Sequence, residues 1–218
     1  PDLCETEFPG ICGQGTEICV DGLIACQPTD PVFEICDGLD NDCNPETFCV
    51  TLNTGNKSYA LEAVAQGVKP ATFYKAAASV DSEYAASNSL NILLSENSEN
   101  GKAVHIILDK EQDGDGGNLT LKVSGAKGMD ILAYDDPPEE ASDSWIYDPN
   151  TGDGTISWVW GACCVDGTVM APLSVNQCAL FEPMASEGIK KFYMVEEIIK
   201  NFKSKVGQHI EILDLEQF

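Results

Sequence analysis

The sequence predicts a mainly β protein: a small disulfide-rich module over residues 1–50, then an antiparallel, jelly-roll-like β-sandwich over residues 51–218, with a minor share of helix. Seven of the ten cysteines lie before residue 50, where few apolar residues recur periodically. After residue 50, short apolar or alternating runs are separated by Gly- and Asp-rich turns about every ten residues, which is typical of sandwiches. With 43% hydrophobic residues in 218, the chain can bury an ordinary core.

The N-terminal module is too small to be stabilised by an apolar core alone. It contains no CxxC pair, and the only two histidines of the chain, His105 and His209, lie far from it. Disulfides formed in an oxidising compartment therefore explain the cysteines better than zinc does. All ten cysteines are predicted to form disulfides: Cys4, Cys12, Cys19, Cys26, Cys36, Cys43, Cys49, Cys163, Cys164 and Cys178.

The distribution of the cysteines also constrains their pairing. Seven lie before residue 50 and three lie after residue 160, so complete pairing within the chain requires an odd number of bonds between the two regions. We therefore expect at least one disulfide between module and sandwich; two free thiols or intermolecular bonds are the alternatives. Cys163 and Cys164 are adjacent, and because a bond between neighbours closes a strained ring, each is expected to pair elsewhere.

Apolar runs between turn signals predict the strands of the sandwich. The five clearest runs are residues 89–94, 103–108, 118–123, 129–134 and 155–160. The run 118–123 alternates apolar with polar residues, as a half-buried strand does. Residues 188–195 and 208–213 also look extended, whereas 195–202 and 57–66 fit either a helix or a strand.

The charge of the chain limits its partners. Thirty-six acidic residues face twelve basic ones, leaving a net charge of −24. Such a surface repels nucleic acid and anionic membranes and attracts divalent cations. No apolar run approaches the ~20 residues of a membrane span. With no signal peptide at its start, the chain is expected to be the processed form of a secreted or cell-surface protein, and Asn56 and Asn118 lie in glycosylation sequons.

The strongest local signal is an oxygen-rich loop near the end of the module. Asp40, Asp42 and Asn44 occupy positions one, three and five of a calcium-loop pattern, and Asp37 and Glu46 add further oxygens. Alternate oxygen-bearing side chains on a tight loop can converge on one hard cation, and calcium takes six to eight oxygen ligands. The alternative is an Asp-rich turn that a disulfide holds without an ion.

Residues 34–44, preceded by regularly spaced glycines and cysteines over 13–26, resemble the MopE-type metal-binding repeat of bacterial surface proteins. They are similar, more loosely, to thrombospondin type 3 calcium repeats, and the resemblance covers residues 10–48. The family name implies copper, which prefers imidazole, thiolate or thioether ligands. This segment contains no His and no Met, and its cysteines are expected to be oxidised. The predicted ion is therefore calcium and not copper.

A second oxygen-rich loop follows the run 103–108. Asp109, Glu111, Asp113 and Asp115 stand at positions one, three, five and seven, with Gly114 at six, where a calcium loop turns sharply. Because the loop joins two expected strands, a plain polar hairpin explains it equally well.

Tryptophans suggest one further function. Trp158 and Trp160 share a face of a strand, so they either pack in the core or, with Trp145, stack on a sugar ring. Residues 158–167 also resemble, faintly, extracellular bacterial β-sandwich domains with no assigned activity. His105 alternates with apolar residues and is expected on an exposed strand face.

The sequence offers no GxSxG or HExxH context around a histidine, so no enzyme is predicted. The leading expectation is an extracellular, calcium-binding structural or adhesive subunit of a surface layer, appendage or matrix. Its partners would be other extracellular subunits or surface glycans, in a homo-oligomer or filament. The alternative is a carbohydrate-binding module.

Overall fold

The computed structural model describes residues 2–32, 34, 36, 39–44, 47–55, 57–61, 65–66, 85–97, 101–109, 116–134, 143–161, 166–174, 177–196 and 208–214. Within these residues the chain forms a three-stranded sheet and two larger mixed sheets. No helix in the described part of the chain is long and apolar enough to cross a membrane.

The small sheet lies at the N-terminus and has the order β1-β2-β3. Its elements are β1 (Leu3–Glu5), a short 3-10 helix (Gly10–Gly13), β2 (Gln14–Val20) and β3 (Leu23–Pro28). Asp21 and Gly22 form the β2–β3 turn, both with positive φ, at 52° and 83°. A two-residue turn of this kind matches the twist of a hairpin and favours Asp-Gly.

Two disulfides stabilise the N-terminal part of the chain in place of a core, one within the small sheet and one beside it. Cys4 and Cys26 join β1 to β3 across β2, with a Cα–Cα distance of 5.9 Å. Gly15 of β2 lies under this bond, where a Cβ would approach the Cys26 sulfur to 2.8 Å. Cys12 in the 3-10 helix bonds to Cys43 and so fastens the acidic segment to the sheet.

The first large sheet has the order β11-β12-β9-β14-β4-β5. Its strands are β4 (Cys49–Asn53), β5 (Ser58–Leu61), β9 (Gly117–Ser124), β11 (Ser144–Asp148), β12 (Asp153–Trp160) and β14 (Cys178–Glu187). All pairs are antiparallel except β14 with β4, where Cys178 lies opposite Cys49.

The second large sheet has the order β10-β13-β8-β7-β15-β16, with β6 also paired to β7. Its strands are β6 (Ala65–Gln66), β7 (Ser89–Asn97), β8 (Gly101–Leu108), β10 (Asp130–Tyr134), β13 (Asp166–Leu173), β15 (Lys191–Glu196) and β16 (Gln208–Asp214). The pairs β15–β7 and β6–β7 are parallel, and the others are antiparallel.

One hydrophobic core fills the space between the two large sheets. It joins alternate residues of β9, such as Leu119 and Leu121, to alternate residues of β8, such as Val104 and Ile106, and it includes Trp158. This is the two-layer arrangement of a β-sandwich. The predicted mainly β sandwich is confirmed, and the parallel pairs are its departure from a purely antiparallel order.

The five clearest predicted strands all exist, as β7, β8, β9, β10 and β12, and the two extended regions near the C-terminus became β15 and β16. The ambiguous run 57–66 contains β5 and β6, whereas most of 195–202 lies outside the described residues. The expectation that His105 is exposed was wrong, because residues 103–108 of β8 are buried on both faces of the sheet.

Candidate metal centre

Three carboxylates converge beside the small N-terminal sheet. Glu34, Asp40 and Asp42 each place one carboxylate oxygen within 4.8 Å of the other two. Glu34 is buried, and the two aspartates are half-buried. We call these three residues the acidic cluster.

Backbone N–H groups of the loop orient two members of the acidic cluster. The Oε2 atom of Glu34 accepts hydrogen bonds from the N–H groups of Asn41, at 2.7 Å, and Asp42, at 3.3 Å. The loop therefore wraps around the Glu34 carboxylate. Asp42 in turn accepts from the N–H of Asn44 at 2.9 Å and from the hydroxyl of Thr47 at 2.6 Å, which closes an Asx-type turn.

The third member, Asp40, is held against the 3-10 helix. Its backbone oxygen accepts a hydrogen bond from the N–H of Ile11 at 2.9 Å. Gly10 has a φ of 59° and lies so close that a Cβ there would overlap this oxygen and approach Asp40 Cγ to 2.7 Å. Glycine is required here both by the positive φ and by the close approach.

Electrostatics make the acidic cluster costly without a cation. In the described part of the chain none of the three carboxylates forms an ion pair, and the buried Oδ1 of Asp40 has no hydrogen-bond partner there. At separations near 5 Å, like charges repel by about 1 kcal/mol per pair in water and about 3 kcal/mol at a protein surface. A divalent cation would relieve this repulsion and supply the missing partner of Asp40.

The described structure brings together only two of the predicted ligands of the first calcium loop. Asp40 and Asp42 meet as expected, whereas Asn44 contributes backbone hydrogen bonds to the turn, and Asp37 and Glu46 lie outside the described residues. Glu34 was missing from the predicted ligands, although it stands in the run that carries the family resemblance.

The second predicted loop begins with an aspartate that faces inward. Asp109 is 1% exposed, and its two carboxylate oxygens accept hydrogen bonds from the N–H of Asn88 at 2.7 Å and the indole N–H of Trp160 at 2.9 Å. These contacts make Asp109 a brace between strands. Glu111, Asp113 and Asp115 lie outside the described residues, so calcium at that loop stays a prediction.

Three further cysteines meet where the module joins the sandwich. Cys178 of β14 lies within disulfide distance of both Cys36 and Cys49, with Cα–Cα distances of 5.3 and 4.6 Å. The Cys36–Cys178 pairing would bond the module to the sandwich, as the parity of the cysteines predicts, whereas Cys49–Cys178 would join two neighbouring strands of one large sheet. Cys163 and Cys164 lie outside the described residues.

A predicted disulfide cysteine, Cys19, and a predicted glycan acceptor, Asn118, both lie on strands. Cys19 is exposed, lies opposite Ile24 in the β2–β3 register and has no disulfide partner among the described residues. Asn118 lies inside β9, and its side-chain amide donates a hydrogen bond to Glu187 at 3.2 Å. Glycosylation at Asn118 stays a prediction, and Asn56 lies outside the described residues.

The tryptophans of β12 belong to the core. Trp158 is fully buried and Trp160 is 6% exposed, so neither offers a ring face to a sugar. Trp145 is half-buried and packs against the same core. Core packing, one of the two interpretations of the sequence, is therefore the role of Trp158 and Trp160.

Comparisons of the chain with protein-family models, with curated proteins and with solved structures found no match.

Proposed function

We propose that this protein is an extracellular structural or adhesive surface protein whose N-terminal module binds calcium through Glu34, Asp40 and Asp42. The observation that carries the proposal is the buried Oδ1 of Asp40, which has no hydrogen-bond partner in the described chain and lies beside two other carboxylates. Hard oxygen ligands favour calcium, and backbone carbonyls or water would complete its six to eight ligands.

The extracellular part of the proposal is supported by the disulfides. Cys4–Cys26 and Cys12–Cys43 hold a module that has little core, and such bonds persist in oxidising compartments. The resemblance to the MopE-type repeat of surface proteins points the same way.

The structural or adhesive part is supported by apolar side chains on the small sheet. Leu3, Leu23 and Ile24 are 82%, 73% and 76% exposed. Leu23 and Ile24 are adjacent in β3, and Leu23 lies opposite Val20, which is 47% exposed. Clustered exposed apolar residues of this kind are typical of surfaces that contact other macromolecules. The proposed partners are other extracellular subunits, including further copies of this chain.

Thermal melting in calcium and in EDTA tests the calcium site. A ligand that binds only the folded state stabilises it by about 2.7 kcal/mol at one hundred times its Kd, so the melting temperature should rise in calcium. Asp40→Asn should abolish most of this rise. Asp21→Asn removes the same charge from the exposed β2–β3 turn of the same module and should leave the rise intact. Equal melting temperatures in calcium and EDTA would contradict the proposal.

Sedimentation velocity with and without calcium tests the structural role. We expect assemblies larger than a monomer at high protein concentration, weakened when Leu23 and Ile24 are both changed to Ser. A strictly monomeric protein under every condition would remove the structural role while leaving calcium binding untouched.

A further inference from the structure

Three cysteine sulfurs form a cluster at the junction of module and sandwich. Cys36 belongs to the segment of the acidic cluster, Cys49 begins β4 and Cys178 begins β14. Their Sγ atoms all lie within 4.8 Å of one another. We call these residues the cysteine triad.

Cys178 lies close enough to both other members of the triad to form a disulfide with either. Both Cα–Cα distances to Cys178, 5.3 Å from Cys36 and 4.6 Å from Cys49, fall in the range that disulfides occupy. A sulfur atom forms only one disulfide at a time, so one member of the triad has no disulfide partner among the residues that the structure describes. We propose that this member is a thiol and that Cys178 exchanges its disulfide partner between Cys36 and Cys49, so that the module is reversibly bonded to the sandwich.

The exchange needs no external oxidant. Starting from the Cys49–Cys178 bond, the Cys36 thiol loses its proton to solvent and the thiolate attacks the Cys178 sulfur. The Cys36–Cys178 bond forms while the Cys49–Cys178 bond breaks, and the electron pair leaves on the Cys49 sulfur, which takes up a proton. The reverse reaction follows the same path, so the number of disulfides and thiols is conserved.

Chain entropy does not choose between the two bonds. They close loops of 142 and 129 residues, and the entropy of loop closure depends only on the logarithm of loop length. The native surroundings of the leftover thiol therefore set the equilibrium. Cys49 is 1% exposed, whereas Cys36 is half-buried. The thiol is hidden from solvent in the Cys36–Cys178 isomer and reachable in the Cys49–Cys178 isomer.

The two isomers differ in what they hold together. Cys49 and Cys178 are direct neighbours in the β4–β14 ladder, so their bond stays within one sheet. The Cys36–Cys178 bond instead fastens the segment of the acidic cluster to the sandwich. In the Cys49–Cys178 isomer, a hydrogen bond of 3.3 Å from the N–H of Cys36 to the hydroxyl of Thr51 still joins the segment of the acidic cluster to the sandwich. This inference does not depend on calcium, since it rests on the sulfur positions alone.

Disulfide mapping under acid quench tests the exchange. Cys19→Ser protein, which lacks the exposed thiol that would scramble bonds between molecules, is digested at low pH and its linked peptides are identified by mass. We expect both the Cys36–Cys178 and the Cys49–Cys178 peptides. Treating the native protein with iodoacetamide should convert the mixture to the Cys49–Cys178 isomer with alkylated Cys36. The rate of alkylation should rise about tenfold per pH unit while the thiol is mostly protonated.

Internal controls and matched variants complete the test. Cys4–Cys26 and Cys12–Cys43 should stay intact throughout, and Cys49→Ser should protect Cys36 from alkylation because Cys36 then has no competitor for Cys178. A single pairing of Cys178 at every pH would overturn the inference. A third triad cysteine bonded to Cys163 or Cys164, or a metal ion that is retained by the protein and lost in Cys178→Ser, would overturn it as well.

Discussion

The indole N–H of Trp160 donates a hydrogen bond of 2.9 Å to the carboxylate of Asp109. Trp160 ends β12 of one sheet, and Asp109 follows β8 of the other, so this bond crosses the sandwich. The second carboxylate oxygen of Asp109 accepts from the N–H of Asn88, just before β7. One buried side chain thus fixes the ends of three strands.

Asp109→Ala should destabilise the sandwich strongly. It removes the acceptor of the buried Trp160 indole N–H and of the half-buried Asn88 N–H, and hydrogen bonds to a charged group contribute about 1.5–3 kcal/mol each. Asp109 also has a φ of 66°, which Ala tolerates poorly. Asp109→Asn keeps one acceptor and suits this φ, so its loss should be clearly smaller. Urea unfolding followed by circular dichroism measures both, and equal losses would contradict the bracing role.

The buried His105 should make stability depend on pH well above the range of the carboxylates. Burial lowers the pKa of His105 from 6.5 to about 3. As the pH falls through 6.5, His105 therefore binds a proton in the unfolded chain but not in the native state. The contribution of His105 to the free energy of unfolding is complete above pH 6.5 and is lost as the pH falls towards 3.

Between pH 7 and 5 the loss should amount to about 2 kcal/mol, measured by urea unfolding at each pH. His105→Gln removes the titrating group while retaining a polar side chain for the neighbouring Ser95 hydroxyl, so the slope over this interval should flatten. A slope that survives this substitution would assign the pH dependence to other groups.

Apolar and alternating runs predicted β7 to β10 and β12 and missed strands such as β13 and β14, in which Pro, Gly or acidic residues interrupt the run. The run that became β9 alternates, and its buried positions are the expected ones. Strand β13 begins with Asp166 and Gly167 and contains Pro172, and β14 contains Glu182 and Pro183, so neither forms an uninterrupted apolar or alternating run. Alternation also misplaced His105, because it implies an exposed strand face only when nothing covers that face of the sheet.

Only two of the three residues of the acidic cluster could be predicted from the sequence. Asp40 and Asp42 are two residues apart, so loop periodicity alone brings them together. Glu34 reaches them only because the chain folds back, and its carboxylate then meets the N–H groups of residues seven and eight positions later. The contact of Gly10 with Asp40 is equally non-local, since the Cys12–Cys43 disulfide brings those segments together.

Tyr147 should fasten the edge strand β11 to the turn before β10. Its hydroxyl lies 2.7 Å from the backbone oxygen of Ala126 and 2.9 Å from that of Met129, so its single proton is shared between two acceptors. Tyr147→Phe should cost about 1 kcal/mol in urea unfolding, the usual net value of a hydrogen bond.

The same hydroxyl should resist ionisation. Burial, followed by the charges of Asp130, Asp153 and Asp148, raises the pKa of Tyr147 to about 12. Because the unfolded chain releases this proton near pH 10, the contribution to stability is complete below pH 10 and lost as the pH rises to 12. Absorbance titration of the native protein should contain one late phenolate step that Tyr147→Phe removes; an unchanged titration would contradict this.

Gly10→Ala should weaken calcium binding without unfolding the sandwich. The new Cβ strains the backbone at φ 59° and overlaps the backbone oxygen, Cβ and Cγ of Asp40, so Asp40 must shift from its position beside Glu34 and Asp42. A shift that costs about 1.4 kcal/mol of binding free energy raises the Kd tenfold. Gly22→Ala is the matched control, because it introduces a similar strain at φ 83° but its Cβ meets nothing within 4 Å. Calorimetric titration with calcium should show the weaker binding in Gly10→Ala alone, and an equal loss in Gly22→Ala would trace the effect to general strain in the module and not to the position of Asp40.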